Sequence, residues 1–264
     1  MKKGVLMYLA GIILLFSLCG CADRPQSEGE QKQRLVIGSD NYIPYNYRDE
    51  EGRYQGIDVE LAKEVCDRIS YEPVFRQIVW DQKDDYLREG QVDCLWGSFS
   101  MNGREEEYDW AGPYMYSRQM VVVRKDGKIR SLAELNGKRL AVQATTKPEK
   151  ILLEHSDQSV PAVSEVCCLT TMDEVYASLR NGFVDGIAGH ESAMVAFMNT
   201  DPSQYEMLST SLYISELGVA FQKGEDAALL QKIERAFKEM KQDGTMTAIV
   251  KKYGLDEGYA LGGQ

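Results

Sequence analysis

Apolar positions come in two rhythms that alternate along the chain. "RLVIGS" (Arg34–Ser39) is a short apolar run with strand character, and "DVELAKEVCDRI" places Val59, Ala62, Val65, Cys66 and Ile69 on one helical face. "EPVFRQIVW" is strand-like again. Asp81 to Leu87 follows as a helix with Gly90 as its stop, and "VDCLW" is a short buried strand. The same order returns further on. "SLAE" at Ser131–Glu134 and "TMDE" at Thr171–Glu174 have capping-box spacing, and "KRLAVQ" and "FVDGIAG" have strand patterns. "KPEKILLEH" is helical through His155, with Pro148 near its start, where a missing N–H costs nothing. Strands alternating with helices predict an α/β fold with mainly parallel sheets.

One unit is written twice. "LREGQVDCLWGSFS" (Leu87–Ser100) and "LRNGFVDGIAGHES" (Leu179–Ser192) share Leu, Arg, Gly, Val, Asp and a second Gly at identical spacing, 92 residues apart. Each copy reads as a helix end, a glycine stop, a buried strand and a glycine-bearing loop. In open α/β sheets ligands bind at the carboxyl ends of strands, so two copies predict two lobes offering loops to one cleft. Asp93 and Asp185 recur at the strand starts and are read as structural. Ser98 in the first copy is replaced by His190 in the second.

The first twenty residues stand apart. Lys2 and Lys3 precede an acid-free apolar run from Val5 to Phe16 and then "SLCGC", the order of an export signal, and the run is short for a membrane span. "LCGC" resembles the bacterial lipobox, which makes Cys21 the expected lipid-bearing N-terminus, with residues 21–33 as a flexible tether. The whole chain of 264 residues carries a net charge of −11. Removal of residues 1–20 takes away two Lys and no acid, leaving −13. Such an acidic domain is a poor binder of nucleic acid, so contact with the bilayer is expected through the lipid. Cys66, Cys94, Cys167 and Cys168 could form disulfides in an exported protein, with three possible pairings. The alternative is buried free thiols for Cys66 on the helical stripe and Cys94 in the buried strand, and adjacent Cys167 and Cys168 do not bridge each other without strain. No C-x₂-C spacing suggests zinc.

From about Leu35 to Leu255 the chain resembles the extracellular solute-binding proteins that feed polar amino acids to ABC importers (family 3, the type II periplasmic-binding-protein fold, a two-lobed "Venus flytrap"). The resemblance is carried, in order, by "IGSDNYIPYNYRDEEGRYQGIDVELAKEV", "LREGQVDCLWGSFSMNGREEEYDWAGPYMYS", "GKRLAVQATT", "LRNGFVDGIAG" and "GVAFQKGEDAALLQKIERAFKEMKQDGTMTAIVKKYGL". It implies crossings near Ser117–Val121 and Ser209–Ile214, with lobe one at 34–118 plus 214–256 and lobe two at 120–210. It also implies a ligand site. Tyr42, after Asp40, and Trp80 match the two aromatics that sandwich a ligand side chain. Gly97, Ser98 and Ser100 match a hydrogen-bonding loop, and Arg104 matches the arginine whose rigid fork grips the ligand carboxylate. The alternative for Arg104 is a surface ion pair with Glu105, Glu106 or Glu107. Thr145 and Thr146, at a helix N-terminus, offer a carboxylate seat or a plain cap. His190 stands where ordinary members carry the aspartate that pairs with the ligand ammonium. Glu191 supplies that carboxylate instead, or the ligand lacks an ordinary ammonium, or His190 only caps the next helix. The implied function is capture of an amino acid or related small carboxylate by a lipid-anchored monomer on the outer face of the cytoplasmic membrane. Delivery to an ABC permease would follow, with no cofactor, metal or catalysis. Two alternatives remain at this level: a cyclohexadienyl-dehydratase-like enzyme in the same cleft, and a ligand-sensing module acting with a receptor.

Overall fold

The computed structural model describes residues 32–155, 159–224 and 227–262. The signal segment, Cys21 and nearly all of the tether lie outside the described residues. Eleven strands are present among them: β1 Gln33–Ser39, β2 Tyr47–Arg48, β3 Tyr54–Gln55, β4 Tyr71–Gln77, β5 Cys94–Leu95, β6 Asp109–Arg124, β7 Arg139–Gln143, β8 Glu165–Leu169, β9 Gly186–His190, β10 Tyr205–Met207 and β11 Tyr213–Phe221. The helices are α1 Ile57–Arg68, α2 Lys83–Arg88, α3 Lys147–Glu154, α4 Met172–Arg180, α5 Glu191–Met198, α6 Ala227–Gln242, α7 Thr245–Lys252 and α8 Glu257–Gly262.

Nine strands form one sheet in the order β4-β1-β5-β11-β6-β9-β7-β8, with β10 added to β6. Its two ends are parallel, as the alternation predicts: β1 pairs with β4 and β5, and β7 pairs with β8 and β9. Its middle is an antiparallel ribbon of the two long strands, from Tyr213 opposite Gln119 to Phe221 opposite Asp109. β6 continues past that ribbon to pair with β9 through Gln119 to Val123, so a single strand belongs to both ends.

The duplicated unit folds as a duplicated device. In the first copy Asp93 N–H donates to the Val36 carbonyl at 2.8 Å, and its carboxylate accepts the Val36 N–H at 2.6 Å. In the second, Asp185 N–H donates to the Arg139 carbonyl and its carboxylate accepts the Arg139 N–H, both at 2.8 Å. Each aspartate thus clips its strand onto β1 or β7 and aims the loop that follows. Gly90 (φ 65°) and Gly182 (φ 72°) end the preceding helices in the left-handed conformation that glycine adopts at least cost.

Side chains at the expected positions build the core. Val59, Ala62, Val65 and Cys66 of α1 are buried, and so are Leu229, Ile233, Ala236, Phe237 and Met240 of α6, at helical spacing. Trp96 is fully buried against Tyr114 and Phe237, with centroids 5.9 and 5.5 Å away. Cys66 and Cys94 are buried free thiols, Cys167 is half-buried and Cys168 exposed.

Local readings differ in three places. The Thr171 capping box forms, but Ser131 makes no side-chain cap; Glu134 accepts instead from the Arg130 N–H. The segment at Leu132–Leu135 is a 3₁₀ turn, too short to present the N3 amide of an α-helix. His155 lies outside α3 and ends it in the left-handed region (φ 46°). Trp80 leaves the strand to open a 3₁₀ turn at Trp80–Gln82.

Candidate functional site

The loops after β1, β4, β5, β7 and β9 converge on one small cavity of about 30 Å³, lined among others by Asp40, Tyr42, Trp80, Gly97, Ser98, Ser100, Arg104, Thr146 and His190. That volume holds a couple of water molecules, since about 10–15 Å³ suffices for one. A larger solute enters only if the walls separate. Six hydrogen bonds tie those walls. Gln143 Nε2 donates to the Asp40 carboxylate (2.6 Å), His190 N–H to Tyr42 Oη (3.0 Å), and Lys83 Nζ to Thr145 Oγ1 (3.0 Å); Arg104 donates to the Thr145 carbonyl (3.1 Å), Lys147 Nζ to the Asn102 carbonyl (3.1 Å), and Lys150 Nζ to the Gly103 carbonyl (3.2 Å).

Arg104 is buried and makes no ion pair among the described residues, so it is not the surface salt bridge its acidic neighbours suggest. Its guanidinium is held by the carbonyls of Ser100 and Thr145 and lies 5.2 Å over the Phe99 ring. Glu105, the nearest rival, accepts the Gly103 N–H instead. Burial lowers the affinity of Arg104, Lys83 and Lys147 for their protons. Three cations thus stand around a site in a strongly acidic protein. Asp40 is the one acid lining the cavity, and burial pushes its carboxyl up against the opposing bond from Gln143.

Ser98 sits in the left-handed region (φ 47°), and its N–H donates to the Asp58 carboxylate at 2.6 Å. Asp58 opens α1, is buried, and also accepts from Tyr114 Oη at 2.9 Å. Its carboxyl is pushed up to about 7 by burial, which outweighs these two bonds. Trp80 is buried against Phe99, edge to face at 5.0 Å. Tyr42 and Trp80 therefore both line the cavity, although the Tyr42 hydroxyl is already bonded across it.

His190 is buried between Tyr42 and Tyr45, with centroids 5.8 and 5.4 Å from its ring. It occupies the N-cap position of α5 without a side-chain cap bond, which removes the plain capping reading. Its ring instead meets Gln119 Nε2, 3.1 Å from Nδ1. Burial pulls its pKa down to about 4 against a bond to the Ser98 main chain, so the imidazole is neutral near pH 7. The two equivalent positions of the repeat, 98 and 190, thus touch beneath the cavity.

Two expected residues lie elsewhere. Glu191 is turned away: its carboxylate takes both Arg118 donors, at 2.7 and 2.6 Å, and lines a separate cavity of about 370 Å³ with Tyr45 and Tyr259. His190 closes β9 and Glu191 opens α5, and the two side chains line different cavities. Thr145 (φ 60°) forms the rim, its carbonyl, hydroxyl and amide taken by Arg104, Lys83 and Glu149. Thr146 is in the wall as the N-cap of α3, but its hydroxyl donates back to the Gln143 carbonyl instead of capping. Gln119, Gln143, Lys147 and Met172 also line the cavity without having been singled out. Gln119 gave no signal, because it lies beside Arg118 at the polar edge of the run Met120–Val123.

The chain is similar to proteins of known role. The L-cystine-binding protein TcyA of Bacillus subtilis is 26% identical, over 96% of this chain and 97% of its own. The histidine-binding periplasmic protein of Salmonella typhimurium is 28% identical, over 84% and 87%. Among solved structures, an ABC uptake transporter substrate-binding protein from Streptococcus pneumoniae with bound histidine superposes with a TM-score of 0.78 at 25% identity, over 84% of this chain and 93% of that one. These relatives are binding proteins rather than enzymes. The family model for bacterial extracellular solute-binding proteins, family 3, matches residues 35–256, so the chain belongs to that family.

Proposed function

We propose that the protein captures an amino acid or a related small carboxylate between lobes comprising residues 34–118 with 214–256 and residues 120–210. It then presents the closed form to an ABC permease. The observation that supports this most is Arg104: a buried guanidinium at the cleft, satisfied only by carbonyls, is a ready partner for a carboxylate. The cross-wall hydrogen bonds favour closure, and a ligand touching both walls adds to them only when the walls are shut. Nothing in this cycle requires covalent chemistry. Lipidated Cys21 and the tether hold the domain, as a monomer, to the outer face of the cytoplasmic membrane.

Calorimetry with the L-amino acids and their 2-oxo and 2-hydroxy analogues tests the binding role. At least one compound should bind with a micromolar or lower Kd, and Arg104→Lys should weaken it about tenfold or more, because a bidentate fork is lost. No binding by any of them, or an unaffected Kd in the variant, would overturn the assignment. Loss of acyl labelling in Cys21→Ser cells is the expected result for the anchor.

A further inference from the structure

Two cavities of very different size lie on either side of β6. Gln119 lines the small one, of about 30 Å³, whereas Tyr116 and Arg118 line the large one, of about 370 Å³. Successive residues of a strand point to opposite faces of its sheet, so positions 118 and 119 mark a front and a rear. The division recurs at the end of β9, where His190 lines the front cavity and Glu191 the rear one. Tyr45 is the partition. It is fully buried, lines the rear cavity, meets the His190 ring edge-on at 5.4 Å, and shares a hydrogen bond with Ser117 Oγ at 3.2 Å.

The rear cavity, like the front one, takes its walls from both of the proposed lobes. Val195, Ala196 and Asn199 of α5 stand on one side, and Pro44, Tyr253 and Leu255 on the other. The proposed crossings, near Ser117–Val121 and Ser209–Ile214, run side by side between the two cavities, with Ile214 paired opposite Arg118. A rotation about an axis there moves the two cavities in opposite senses. Widening the front to admit a solute carries α5 toward the C-terminal segment and narrows the rear. The observed volumes fit the shut end of that movement, with a tight front and a wide rear. Arg118 and Glu191 sit beside the crossing, where a rotation displaces atoms least, so their ion pair persists through it. Val195 and Asn199 lie about one and two turns further along α5, away from that axis.

We propose that the rear cavity is the counter-cleft of the ligand site, and that Val195 and Asn199 set ligand affinity through it without touching the ligand. Their modest side chains leave room for α5 to move when the front opens. Bulk added at these positions fits the shut form and is squeezed in the open one, because packed walls yield little. It therefore shifts the population toward the shut form, and a solute that binds only that form is held more tightly. This rests on the two-lobe capture reading and adds the residues that tune it.

The test puts a large ring on the rear face of α5. Val195→Trp and Asn199→Trp lie four residues apart on one side of the helix, and both positions are exposed, so neither substitution loads the core. Small-angle X-ray scattering of the mature chain carrying Cys21→Ser, with no solute added, should give each variant a radius of gyration smaller than its parent's by about 0.5 Å or more, against about 18 Å for a compact chain of this length. Calorimetry with the L-amino acids should show each variant binding the parent's best amino acid about threefold or more tightly, since apparent affinity scales with the fraction of molecules already shut. A damaged fold would not tighten binding. A Kd equal to the parent's, or weaker, in both variants overturns the proposal and leaves the carboxylate site standing. Binding of no amino acid by the parent counts against the capture reading instead; the scattering shift then decides the counter-cleft by itself, and an unchanged radius in both variants overturns it.

Discussion

The aspartate beneath the site loop offers a sharp test of how the cleft is held. Asp58 is 1% exposed, receives the Ser98 N–H and the Tyr114 hydroxyl, and has its carboxyl pushed up to about 7 by burial. An acid whose folded pKa is raised binds its proton more tightly folded than unfolded. Its burden on stability is therefore absent below the unfolded value near 3.9 and grows as pH rises to the folded value near 7. At 1.36 kcal/mol per pH unit that interval amounts to about 4 kcal/mol. Asp58→Asn keeps an acceptor for the Ser98 N–H and a donor for Tyr114 Oη, but it does not titrate. Urea unfolding of both proteins, followed by tryptophan fluorescence from pH 4 to pH 8, isolates the difference because every other group titrates in both. The unmodified protein should lose about 4 kcal/mol relative to the variant over this range, most of it below pH 7. A difference that stays constant to within about 0.5 kcal/mol, or that runs the other way, refutes the account of Asp58 as a carboxylate charged against its surroundings.

Other expectations follow from the same geometry. His190, with its pKa lowered to about 4, contributes stability that is complete above the unfolded value near 6.5 and lost as pH falls toward 4; His190→Gln should remove about 3 kcal/mol of that acid sensitivity in the same unfolding assay. A Cβ at Gly189 would lie 2.8 Å from Tyr42 Oη and 2.9 Å from the Met194 methyl, so Gly189→Ala should cost about 1–3 kcal/mol and weaken ligand binding by displacing Tyr42, read by thermal melts and calorimetry. Asp93→Ala and Asp185→Ala each remove a carboxylate clip and should each cost about 1–3 kcal/mol, with the double variant close to additive in urea unfolding. Glu191→Gln should leave ligand affinity unchanged in calorimetry, because its carboxylate belongs to Arg118 in another cavity.

Much of this was written in the sequence because it depends on local periodicity. The alternation of strands and helices, the buried faces of α1 and α6, and the two glycine stops follow from spacing of 2 and 3.6 along the chain. The repeated unit also announced two sheet ends facing one cleft, since a strand clipped by an aspartate and ended by a glycine aims its loop in a set direction. Residues on those loops, from Asp40 to Arg104 and His190, could be named in advance only through the resemblance to the solute-binding family.

The long-range encounters were decided only in the folded molecule. Arg104 among three glutamates reads as a surface cation until burial against Phe99 and two carbonyls takes it out of water. Glu191 reads as the substitute carboxylate until Arg118, 73 positions earlier, claims it. Gln119 carries no motif; its place in the wall exists because β6 runs through both ends of the sheet. Periodicity fixes which face of an element is buried, whereas the identity of the opposing group depends on how the elements pack. That packing is what turned His190 into a neutral neighbour of Ser98 beneath a shared cavity.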